Sequence, residues 1–232
     1  FTFLMNPFFA VNHTVDEFNA LVKPWYDDLH ELGISFQPNT TYYDNFYAGW
    51  MAGFALETVA SSTMMTGSRL FPRANWDTPT SLNATLNALR ATITDGFALL
   101  AFNMKAELHE GFTSNSANPA WRQTLMHAIT STSWTNTTSD ADIKVKMDDL
   151  TKAVGKWRAV CPDSGAYMSE SDIQEPHFQQ AFYGTNYDRL YKLKQRYDPT
   201  GLFYAPTGVG SEDWVVKSLD GLPDQNGRLC RV

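Results

Sequence analysis

The segment from Ser139 to Val160 constrains the fold most, because Ile143, Met147, Leu150, Val154 and Trp157 form a single apolar stripe at helical spacing. A helix this long with one greasy face must lie against another layer, and the polar run Thr135 to Asp140 before it supplies a turn and a cap. The segments available to form that layer read as strands: Thr63 to Pro72 and Phe97 to Met104 are extended and apolar-rich, and Asp95-Gly96 makes the turn into the second. Pro79 to Asp95 predicts a further helix, with Leu82, Leu86, Leu89 and Ile93 on one face. Ala120 to Trp134 fits helix and strand equally well. Strands and helices mixed without a regular βαβ rhythm predict an α+β fold, an antiparallel sheet with helices on one face.

Toward the start, residues 1 to 11 predict a buried strand, and Thr14-Val15-Asp16-Glu17 is a capping box for a helix carrying Phe18, Leu21, Val22, Trp25, Leu29 and Leu32. Pro24 is expected to kink or interrupt that helix, Gly33 to close it, and Ile34 to Phe36 to resume an extended path. The aromatic stretch Tyr42 to Trp50 has no clean period and reads as a pocket wall or as a loop packed over the core. Beyond the Cys161-Pro162-Asp163-Ser164-Gly165 boundary, a helix is expected from Tyr187 to Tyr197, ended by Asp198-Pro199 and followed by an irregular Gly- and Pro-rich tail.

With 43% hydrophobic residues the chain has the means to bury a substantial core, and its net charge of −7 argues against a nucleic-acid partner. No segment approaches the roughly 20 apolar residues of a membrane span. Asn12, Asn39, Asn83 and Asn136 each open an Asn-x-Thr acceptor triplet without proline, which points to a secreted, extracellular glycoprotein. Phe1 to Pro7 has neither the basic start nor the cleavage pattern of an export signal, so the natural start is expected elsewhere. Cys161 and Cys230, the two cysteines, could pair with each other at a gain of about 4 kcal/mol on the loop-entropy argument, pair with a segment outside the chain, or stay as buried thiols.

Familiar catalytic signatures are missing. There is no Gly-x-Ser-x-Gly elbow, no phosphate loop and no metal-type His or Cys spacing, and His13, His30, His109, His127 and His177 stand singly, which is the pattern of structural or exposed histidines. A paired-carboxylate hydrolase has only its abundant Asp and Glu in its favour. Arg69 and Arg73 suit either an anionic ligand or local acids, and Asp188, Arg189 and Lys194 read as exposed helix pairs.

The segment Gly165-Ala166-Tyr167-Met168-Ser169-Glu170-Ser171-Asp172 is followed by Tyr183-Gly184, Arg189-Leu190, Lys194, Tyr197-Asp198-Pro199 and Phe203. In order and spacing it resembles the C-terminal blocks of the berberine bridge enzyme-like branch of the vanillyl-alcohol oxidase superfamily. Gly67 to Arg73, Asn118 to Arg122 and the ending Val209 to Cys230 are similar to a secreted fungal subgroup. The resemblance implies an FAD-dependent oxidase of alcohols or carbohydrates with oxygen as electron acceptor. It further implies a substrate domain at 1–158, and at 159–232 a segment that completes an FAD-binding domain. The main part of that domain, with its covalent flavin attachment residues, would be an N-terminal half outside this chain and its chief partner. Where the family commonly has Asn-Tyr, this chain has Ser169-Glu170. Tyr167, Ser169 and Glu170 are then expected at the flavin edge, with Tyr167 positioning cofactor or substrate and Glu170 assisting proton removal or serving as a paired structural carboxylate. The alternative function is a catalytically inactive, ligand-binding relative.

Overall fold

In the computed structural model, which describes residues 2–54, 62–107, 115–223 and 225–232, the chain forms two compact units, Phe1–Ala60 and Ser61–Val232. Residues 61–158 and 159–232 fall within the same compact unit.

The first unit holds two helices. Helix α1 (Val15–Glu31) begins on the expected capping box: Thr14 Oγ1 accepts from Glu17 N, and the Glu17 carboxylate reaches back to Thr14 N at 2.7 Å. Pro24 does not interrupt it; a proline removes one hydrogen bond, and the helix runs on to Glu31 before Gly33, at φ 70°, closes it. Helix α2 (Phe46–Gly53) takes up the aromatic stretch, capped by the Asn45 side chain. Residues 2–10 and Ile34 to Phe36 are not strands. Phe9 instead packs its ring on Phe46 and Phe54, with centroids 5.5 and 5.6 Å away, so aromatic contact replaces the ladder that their apolar character suggested.

The second unit is built on an antiparallel sheet of order β1-β3-β2: β1 (Met64–Pro72), β2 (Leu100–Asn103) and β3 (Thr124–Ser133). The ambiguous stretch is thus a short 3₁₀ turn, Pro119–Gln123, and then the central strand. β2 is shorter than expected because Phe97 and Leu99 pack against the core and the Ala98 carbonyl is taken by the Thr130 hydroxyl. Helices α3 (Pro79–Thr94), with Thr78 as its cap, and α4 (Asp140–Val160), capped by Ser139, share one face of the sheet.

Strand alternation sorts the residues between the two faces. Met65, Gly67, Arg69 and Phe71 of β1 and Met126 and Ala128 of β3 look toward α4, whose stripe of Ile143, Met147, Leu150, Val154 and Trp157 is buried against them. Helix and sheet meet so closely that a Cβ on Gly67 would lie 2.5 Å from Val154. Ser68 and Leu70, His127 and Ile129, and Leu100 and Phe102 fall on the opposite, helix-free face.

Helix α5 (Tyr187–Tyr197) lies where the sequence placed it. The tail is more ordered than its composition suggested: β4 (Trp214–Ser218) and β5 (Gly227–Arg231) form a hairpin. Cys161 and Cys230 are both free thiols. Cys161 is turned into the core, where its Sγ donates to Trp157 O at 3.1 Å and burial pushes the thiol up to about 12. No helix among the described residues is long and apolar enough to cross a membrane.

Candidate active site on the open face of the sheet

After α4 the chain hooks over the free edge of β1. Ser164 Oγ donates to Leu70 O, and Leu70 N donates to Gly165 O at 2.8 Å, so the segment runs beside the strand. Only glycine fits at 165, where a Cβ would lie 2.5 Å from Asn118 Nδ2 and 2.7 Å from Ala181 O. The chain then crosses the helix-free face: Ser68 Oγ accepts from Tyr167 N at 3.3 Å, and Met168–Glu170 makes one 3₁₀ turn.

The return to α4 is held by two buried acids. Asp172 accepts from Thr151 Oγ1 at 2.5 Å and from Gln174 N at 2.7 Å. Glu175 receives Arg69 Nη2 at 3.0 Å and the Arg158 Nε and Nη2 groups at 3.0 and 2.8 Å. Glu175 is charge-paired and Asp172 hydrogen-bonded, which pins the return end of the crossing segment.

The crossing places Tyr167 and Glu170 over His127, the centre of an aromatic cluster. The imidazole lies 5.5 Å from the Trp121 ring and 5.9 Å from the Tyr167 ring, both edge to face, with Phe102 stacked at 6.5 Å. Trp121 and Tyr167 themselves meet at 5.5 Å. Glu170 Oε2 stands 3.9 Å from His127 Nδ1. His127 is buried, and desolvation lowers its pKa to about 4, so the ring is neutral through the ordinary range and the contact with Glu170 is not an ion pair. Its Nε2 is buried with no hydrogen-bond partner among the described residues. Tyr167 is 39% exposed and the Glu170 side chain 44%, so the cluster is reached from solvent.

Tyr167, Ser169 and Glu170 therefore sit together, Ser169 exposed on the same turn. His127, Trp121 and Phe102 carried no signal as a group, since they come from three separate segments; the one available clue was that β3 alternation puts His127 opposite Met126 and Ala128. Arg69 is turned to the helix side and paired with Glu175, and Lys194 with Asp198 at 2.5 Å. His109 lies outside the described residues. Asn12, Asn39, Asn83 and Asn136 are all exposed. Among the described residues no group of three His, Cys, Asp or Glu could hold a metal ion.

This fold, a helix-backed sheet with an aromatic open face, is that of the VAO-type flavoproteins. The crystal structure of MtVAO615 from Myceliophthora thermophila C1 matches 95% of the chain with a TM-score of 0.77 and 29% identity, and the match covers 40% of that protein. Residues 166–210 match the family "Berberine and berberine like". The FAD-linked oxidoreductase patO of Aspergillus clavatus is 36% identical over all of the chain and 39% of its own length. The VAO-type flavoprotein oxidase VAO615 of Thermothelomyces thermophilus is 32% identical over 94% of the chain and 37% of its own length. The chain belongs to the berberine bridge enzyme-like branch of the VAO superfamily of FAD-linked oxidoreductases, and spans about two fifths of the length of these relatives.

Proposed function

We propose that the chain supplies the substrate-facing wall of an FAD-dependent oxidase acting on an alcohol or carbohydrate, and that the rest of the same polypeptide holds most of the cofactor. The carrying observation is the solvent-reached cluster around a buried imidazole nitrogen that has no partner among the described residues, two of whose members, Tyr167 and Glu170, lie on the segment that matches the family. Aromatic walls suit a flavin ring and its substrate, with Tyr167 and Trp121 the contacting residues. Glu170, the carboxylate at this face, would repel the pyrophosphate, which fits a phosphate site elsewhere in the polypeptide.

When bound, FAD would supply the hydride acceptor for the substrate carbon and a route for the electrons to oxygen. The residues of this chain manage the proton. A carboxylate beside Nδ1 favours the tautomer with its hydrogen there, which leaves the buried Nε2 as the lone-pair nitrogen of the ring. At 3.9 Å the Glu170–His127 contact is longer than a hydrogen bond, and a bound substrate that closes it raises the proton affinity of the ring. Tyr167, held through its backbone by Ser68, orients the substrate and helps exclude water. The exposed acceptor triplets at Asn12, Asn39, Asn83 and Asn136 support an extracellular, glycosylated product.

The test is the full-length protein: a flavin spectrum, peroxide release with a panel of alcohols and sugars, and the rate of flavin reduction in Glu170→Gln. The expected results are a yellow protein, oxidation of at least one substrate, and reduction slowed about a hundredfold in the variant. A colourless full-length product would refute the oxidase reading, and an unchanged reduction rate would remove Glu170 from the proton path.

A further inference from the structure

Met168 stands between the two residues that the proposed chemistry uses, and it is the least protected sulfur in that turn. Met168 is 46% exposed, whereas Met65 and Met147 of the core are 7% and 6% exposed. One hydroxyl faces the sulfur: Tyr183 Oη lies 3.1 Å from Met168 Sδ and 3.0 Å from Thr207 O. A phenol has one hydrogen to give, and the carbonyl is the better acceptor, so the thioether keeps its lone pairs free. Burial pushes the Tyr183 phenol up to about 12, which keeps it a donor throughout the working range of an enzyme.

We infer that Met168 is a peroxide-sensitive modification site whose oxidation to the sulfoxide disturbs the turn carrying Tyr167 and Glu170. The chemistry balances with one co-reactant, a hydroperoxide. With hydrogen peroxide, a sulfur lone pair attacks one oxygen, the O–O bond breaks as the S–O bond forms, and the departing hydroxide takes the proton of the transferred oxygen and leaves as water. The sulfur is oxidised by two electrons and the peroxide reduced by two. The product is a polar, chiral group in place of a flexible apolar one. Its oxygen is a far stronger acceptor than the thioether and competes with Thr207 O for the Tyr183 hydroxyl. Oxidation therefore pulls on the contact between the turn at Met168–Glu170 and the segment at Thr207, with Tyr183 as the shared element. The source of peroxide in normal turnover rests on the proposed oxidase function; the susceptibility of the sulfur does not.

Two arms of one experiment separate these points, both on the flavin-loaded full-length protein and its Met168→Leu variant. In the first, hydrogen peroxide is added and each methionine is followed by peptide mass spectrometry, with Met64, 43% exposed, as the accessible control and Met65 and Met147 as buried ones. Met168 is expected to gain one oxygen at least as fast as Met64 and well ahead of the buried pair. Flavin reduction is expected to slow in step, recover with methionine sulfoxide reductase, and hold at its starting rate in Met168→Leu. A Met168 left unmodified while Met64 is oxidised, or a Met168→Leu variant inactivated as fast as the parent, overturns the proposal. In the second arm substrate and oxygen replace added peroxide, and the same adduct is expected unless catalase is present. An adduct formed in the first arm but not in the second upholds the site and counts against oxygen as the electron acceptor.

Discussion

The two faces of the β1-β3-β2 sheet are made by the same strands, residue by alternate residue, yet they obey different rules. On the helix side Phe71, Ala128, Leu150, Val154 and Trp157 are shielded to 1% exposure or less, and the charges buried there, Arg69 and Glu175, are joined to each other. On the open side an imidazole nitrogen is buried without a partner among the described residues, a phenol and a carboxylate reach solvent, and aromatic rings meet edge to face. Both faces bury polar atoms without partners among the described residues, Arg69 Nε and Nη1 and Trp157 Nε1 on the helix side and His127 Nε2 on the open side, but on the open side the atom belongs to a cluster whose phenol and carboxylate reach solvent. Glu175 and Glu170, five residues apart on one hooked segment, differ in exposure: Glu175 is buried between two guanidiniums, whereas the Glu170 side chain is 44% exposed beside the His127 ring.

The comparison breaks most readily at the helix side. Trp157→Ala should cost about 3–5 kcal/mol in chemical denaturation and take the open-face activity with it, since the cavity lies in the centre of the core. A loss under about 1 kcal/mol would mean that the helix layer does not hold the sheet as described.

The pH dependence of stability should carry the signature of the open side. His127 titrates near 4 in the folded chain against an ordinary imidazole value of 6.5, so between these values the unfolded state binds the extra proton. Its contribution to stability is complete above pH 6.5, declines on acidification at up to about 1.4 kcal/mol per pH unit, and is lost below pH 4. The slope should shrink in His127→Gln; an identical slope would place the titration elsewhere. Smallest of all, Lys144→Ala, which removes an exposed i,i+4 partner of Asp148, should shift stability by no more than about 0.5 kcal/mol and leave activity alone.

What the sequence revealed follows from how local each signal is. The Thr14 capping box, the Asp95-Gly96 turn and the α4 stripe are written within a few residues, and the structure keeps them. Residues 2–10 read as a strand because they are apolar, but apolarity alone does not distinguish ladder pairing from the aromatic packing that Phe9 makes. β4 and β5 were hidden because each is short and pairing across a long loop sets them. Tyr167 and Glu170 were legible through one contiguous segment. His127 was not, because its role depends on β3 bringing it beside Phe102 and under a segment that follows 40 residues later in the chain.

The claim that the open face is the catalytic one is tested most directly by flavin reduction in His127→Gln of the full-length protein, followed by rapid mixing with thermal unfolding recorded on the same sample. The account predicts reduction slowed at least about a hundredfold in a protein that still unfolds cooperatively, since the residue holds a proton and not the sheet. Reduction at the parental rate in that folded variant would contradict it.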